Sequence, residues 1–114
     1  MPESLIDHAV FNTLKETTGE DFIVEVVDAF LEEAPTLIAQ LRPALASQDV
    51  ETFRRAAHSL KSNAATFGAT RLFDQAKELE FMARENRLGE VGDRIEVLEE
   101  MYRNVARELK DLCK

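Results

Sequence analysis

The sequence predicts an all-α protein, an antiparallel up-down four-helix bundle with a short additional N-terminal helix. Two observations carry this. Apolar residues recur at spacings of three and four through four substantial stretches joined by short connections, the pattern of helices that share a core. Strand signals are few, with four glycines, three prolines and no alternating run of β-branched residues. A chain of 114 residues is one domain, 1–114, large enough for a single core without disulfide or metal staples.

The first element is Asp7 to Thr17, a short amphipathic helix with Val10, Phe11 and Leu14 inward, placed as a lid on the bundle. Gly19 ends it. Thr18 with Asp21 fits a capping box for a long helix from about Glu20, whose apolar face carries Ile23, Val26, Val27, Phe30, Ala34, Leu37, Leu41 and Leu45. Pro35 falls inside that pattern. Its missing N–H and its ring either kink the helix or divide it, and Pro43 is a second point of disturbance.

Asp49 is the N-cap candidate of the next helix, with Glu51 at the positive end of its dipole. Phe53, Ala56, Ala57, Leu60, Ala64 and Phe67 form its inward stripe. Gly68 suits the left-handed position after it, and Thr70 can cap the following helix, so the two make a tight antiparallel hairpin. Leu72, Ala76, Leu79 and Ala83 are the inward stripe of a helix from about 70 to 87. After the loop, Asp93 with Glu96 can cap a final helix along Ile95, Leu98, Tyr102, Val105, Leu109 and Leu112.

Composition excludes several functions. With 22 acidic against 14 basic residues the net charge is -8, the wrong sign for a nucleic-acid backbone or an anionic membrane. The single cysteine, Cys113, cannot form an intramolecular disulfide, and no stretch reads as a signal peptide or membrane span, so the cytoplasm is expected. No phosphate-binding Gly-rich loop is present, which leaves no argument for ATP binding. Neither His8 nor His58 has a Glu three residues before it, so the di-iron bundle pattern is absent and no metal is expected. His8 reads as a surface residue.

His58 lies on the polar face of its helix, about 160° from Leu60 at ~100° per residue. Around it stand Arg54 one turn before, Lys61 and Ser62 one turn after, and Ala65 two turns after. Basic side chains flank the imidazole, while Ser62, Ala65 and Ala69 are small enough to admit another protein. A solvated histidine is the alternative.

The segment AHSLKSNAATFGA resembles the signature of histidine-containing phosphotransfer (HPt) domains, in which A-H-x-L-K-G-[SA]-[SA]-x-x-[LF]-G surrounds a phospho-accepting histidine. His58, Leu60, Lys61, Ala65, Phe67 and Gly68 match, whereas Ser62 replaces a usual Gly and Asn63 a usual Ser or Ala. The resemblance extends through FLEEAPTLIAQLRPAL and QAKELEFMAREN. It implies the same bundle and a phosphoryl group carried on His58, with Lys61 meeting the phosphoryl oxygens. The implied partners are receiver domains of response regulators and hybrid histidine kinases, which supply the aspartate and the Mg²⁺; no cofactor is implied for this chain, and a carrier fits better than a kinase. A monomer is expected. Two other readings remain: the substrate domain of a larger chemotaxis-type histidine kinase, and an interaction module in which His58 is inert.

Geometry adds one more residue. From His58 to Gly68 the chain climbs ten residues and from Thr70 to Glu80 it descends ten, each arm about 15 Å at ~1.5 Å per residue. Glu80 therefore stands level with His58, at the edge of the buried stripe, where its carboxylate can take Nδ1–H and leave Nε2 outward. HPt domains carry a Gln or Glu at a similar place. The alternative is a solvated boundary Glu paired with Lys77 or Arg84.

Overall fold

The computed structural model describes residues 4–113. Five helices follow one another: α1 (His8–Thr18), α2 (Glu20–Ala46), α3 (Val50–Thr66), α4 (Thr70–Arg84) and α5 (Arg94–Leu112), with a short 3₁₀ turn at Leu88–Glu90. Each of α2 to α5 packs on the next and α5 returns to α2, which closes the four-helix bundle; α1 lies against α2 and α3. No strand occurs among the described residues.

Helix α3 buries all of Phe53, Ala56, Ala57, Leu60, Ala64 and Phe67, and α4 buries Leu72, Ala76, Leu79 and Ala83, the stripes that periodicity selects. Burial of one such Leu or Phe contributes about 1.5–3 kcal/mol. In α2 the stripe is rotated slightly from expectation: Ile38 and Ala44 are buried, while Val26, Leu37 and Leu45 are only partly covered. Val10 is likewise exposed on α1, where Phe11 alone is fully buried.

The prolines do not divide α2, which runs 27 residues through both. Pro35 has no N–H for the carbonyl of Leu31 four residues earlier. The Tyr102 hydroxyl of α5 donates to that carbonyl instead, at 3.3 Å. An orphaned acceptor is thereby satisfied from the neighbouring helix.

One cap forms as the sequence suggests, with Asp49 accepting from Thr52 N at 3.1 Å. Asp7, expected inside the first helix, caps it instead and accepts from Ala9 N at 3.0 Å, so α1 starts one residue later than its pattern. Three others do not form. Gly19, at φ 94°, is both the C-cap of α1 and the N-cap of α2, which leaves Thr18 inside α1 with its hydroxyl on Leu14 O. Thr70 is the first helical residue rather than the cap, which is Ala69. Asp93 occupies the N-cap of α5 without a side-chain bond, so no box with Glu96 closes.

The α3–α4 turn fixes the site's register. Gly68 has φ 72°; its N–H bonds Ala65 O at 3.2 Å, and Ala69 N–H reaches Ala64 O at 2.9 Å. The Gly68 carbonyl accepts from Asp7 N at 2.8 Å, which ties α1 to this turn. A Cβ on Gly68 would stand 2.9 Å from Val10 Cβ and 3.0 Å from Asp7 O. Gly68→Ala should therefore cost roughly 2–4 kcal/mol, as left-handed strain and overpacking combine. Urea unfolding measures it, and a loss below half a kcal/mol would show that α1 yields freely.

Candidate functional site

His58 projects from α3 with its side chain 51% exposed, whereas Glu80, facing it from α4, is 2% exposed. The equal arms about Gly68 do bring them together: His58 Nδ1 and Glu80 Oε2 are 2.8 Å apart. Glu80 is the only buried charged side chain among the described residues. Isolated, such a carboxylate would be costly.

Three donors compensate it. Lys61 Nζ lies 2.6 Å from Oε1, and Arg84 Nη2 donates to Oε2 at 3.1 Å beside His58. Burial pushes the Glu80 carboxyl up, but the hydrogen bonds from Lys61 and then His58 outweigh it and hold it below its ordinary value. An ionised carboxylate only accepts, so the proton between it and His58 belongs to Nδ1. In a neutral ring so held, Nε2 is the nitrogen left without a proton.

A carboxylate whose folded pKa is depressed adds stability that is complete above the unfolded value and is lost as pH falls through the folded one. Acid titration should therefore weaken the protein below about pH 4.5, the ordinary value for a Glu. The Glu80→Gln variant should show a shallower decline in urea midpoint over that range, and identical declines would mean that Glu80 gains nothing from its partners.

The remaining expected residues divide. Ser62 and Ala65 are exposed beside His58 and leave its face open. Ala69 is fully buried at the start of α4 and takes no part in that face, because the turn points it into the core. Arg54 is engaged on its own helix, its Nε and Nη2 donating to Glu51 at 3.2 and 2.6 Å. Gly68 acts through the turn. His8 is exposed and lies 3.4 Å from Glu108, far along the chain from His58. The reading of Glu80 as a solvated boundary residue fails, because the carboxylate is buried beneath His58; of its expected partners it meets Arg84 as well as His58, although not Lys77. Sequence reasoning missed that Lys61 is bound to Glu80, an interaction that i,i+3 spacing on α3 does not announce. It missed the tether at Glu108 as well, whose carboxylate accepts from the backbone N–H groups of Leu5 and Ile6 at 3.0 and 3.1 Å.

Among the described residues, no group of three or more His, Cys, Asp or Glu could hold a metal ion. No helix among them is long and apolar enough to cross a membrane.

The site is thus a half-exposed imidazole held at Nδ1 by a buried carboxylate on a helical bundle. The family model of the Hpt domain matches residues 25–108, a span that includes His58, Lys61 and Glu80. The chain belongs to the Hpt domain family. It is 30% identical over 92 residues to phosphorelay protein LuxU of Vibrio harveyi, covering 81% of each. It is 36% identical over 73 residues to multistep phosphorelay regulator 1 of Schizosaccharomyces pombe, where the match takes 61% of this chain and spans only 25% of that protein's length. The crystal structure of histidine-containing phosphotransfer protein B (HptB) from Pseudomonas aeruginosa PAO1 superposes with a TM-score of 0.91 at 28% identity, over 98% of this chain and 96% of that one.

Proposed function

We propose that His58 is the phospho-accepting residue and that the chain relays a phosphoryl group between aspartates of receiver domains. The observation that carries this is the Nδ1–Glu80 contact on an otherwise open ring. The Nε2 lone pair attacks phosphorus of the partner's acyl phosphate; the N–P bond forms as the P–O bond to the aspartate breaks, and the carboxylate leaves with the electron pair. Nδ1 keeps its proton, so the phosphorylated ring is cationic. Glu80 stabilises that charge without a proton having to move.

Positioning and charge neutralisation supply most of the remaining catalysis. Lys61 reaches the phosphoryl oxygens as a flexible point charge, and its contact with Glu80 places the ammonium one turn from the ring. The Mg²⁺ belongs to the receiver domain, and this chain needs no cofactor. Exposed Ser62 and Ala65 admit the partner's surface. The protein acts as a monomeric carrier in the cytoplasm, not as a kinase, and its partners are response-regulator receivers and the hybrid histidine kinase.

Incubation with a phosphorylated receiver domain should label His58 with an acid-labile phosphate, whereas an inert interaction module would stay unlabelled. Lys61→Ala should slow transfer by about 10²-fold or less, the loss expected when one electrostatic stabiliser goes and the partner's metal remains. Unchanged single-turnover kinetics would show that Lys61 serves Glu80 alone.

A further inference from the structure

The two oxygens of Glu80 are used differently. Oε1 faces Lys61 at 2.6 Å, while Oε2 accepts from both His58 Nδ1 and Arg84 Nη2, at 2.8 and 3.1 Å. Lys61 has another prospective ligand one turn away on its own helix, the phosphoryl group on Nε2. A dianionic phosphoryl group attracts an ammonium more strongly than a carboxylate does, and the lysine stem is long enough to turn. Glu80, 2% exposed beneath the ring, would then lose a cation. A buried carboxylate stripped of its partner is expensive and would itself be protonated or displaced.

We propose that Arg84 is a positioning residue for phosphoryl transfer, holding Glu80 on His58 Nδ1 while Lys61 leaves Oε1 for the phosphoryl oxygens. The inference rests on His58 being the acceptor. Arg84 suits the task because it lies four residues from Glu80 on the same helix, so the pair needs no rearrangement elsewhere. Its guanidinium stays charged, and one N–H suffices for the contact. Arg84 is also 58% exposed, so an idle surface charge is the rival description. The two differ in what happens when Lys61 is removed.

The experiment uses phosphoramidate as donor, with the parent protein and the Arg84→Ala, Arg84→Lys, Lys61→Met and Lys61→Met/Arg84→Ala variants. Phosphorylation of His58 is followed by ³¹P NMR, and the tautomer of the unphosphorylated ring by ¹⁵N NMR. Arg84→Ala should keep the parental tautomer, because Lys61 still holds Glu80, yet accept phosphoryl groups several-fold more slowly; Arg84→Lys should restore the rate. In the double variant the Nε2–H tautomer should appear, and the rate should fall about tenfold beyond the product of the single losses, the non-additivity of groups that share one partner. Single losses that simply multiply, with the parental tautomer in the double variant, overturn the role of Arg84. So does an Arg84→Lys protein as slow as Arg84→Ala. A parent in which His58 takes no label overturns the acceptor assignment and this proposal with it.

Discussion

Replacing His58 with Gln should leave a folded protein that accepts no phosphoryl group. The side chain is half-exposed and its one partner among the described residues is Glu80, to which the Gln amide can still donate, so the stability change should stay under about 1 kcal/mol. An amide has no lone pair of imidazole character to offer phosphorus, so the loss of transfer should be complete. His8→Gln should behave like the parent, because His8 meets Glu108 and the N-terminal segment instead. Label retained by the His58 variant, or a collapsed circular dichroism spectrum, would contradict the assignment.

The second large effect belongs to Glu80→Ala. Here the nucleophile survives while its orientation and the compensation of its developing charge are lost. Removing a carboxylate that orients a functional histidine costs about 10–100-fold in comparable sites, and the same range is expected for the transfer rate. Stability should fall by no more than about 2 kcal/mol, because His58 and Arg84 are more than half-exposed and can turn to water, and Lys61 can follow on its long stem. Stopped-flow transfer from a phosphorylated receiver measures the rate. Parental kinetics would mean that Nε2 is presented without help from α4.

Much of this arrangement was legible in the sequence, for physical reasons that can be named. The stripes of α3 and α4 were clear because small and large apolar residues repeat there without a break, and Gly68 marked the turn that sets the two helices in register. Ten residues on either side of that turn sufficed to place Glu80 beside His58. Helix α2 was harder to read. Over 27 residues the choice between Leu37 and Ile38, or Leu45 and Ala44, depends on how α3 and α5 press against it, which periodicity alone does not contain. Pro35 looked like a break because its cost is local, whereas the Tyr102 hydroxyl that answers for Leu31 O comes from 71 residues away. The caps at Thr18, Thr70 and Asp93 failed for a common reason: tight connections hand the capping position to Gly19 or Ala69, or hold Asp93 in a geometry from which its side chain does not reach the helix. Within the site, the pairing of Lys61 with Glu80 is not legible in the sequence, because it runs between α3 and α4 and depends on how a long, flexible lysine stem turns across that contact.

The most direct test of the account is the position of the phosphoryl group on the ring. Protein labelled with ¹⁵N-histidine and phosphorylated with phosphoramidate can be read by ¹H–¹⁵N and ³¹P correlation. The account predicts phosphorus on Nε2 of His58, with the Nδ1 proton retained and hydrogen-bonded to Glu80. Phosphorus on Nδ1, or an acid-stable phosphate on a hydroxyl such as Ser59 or Ser62, would contradict it.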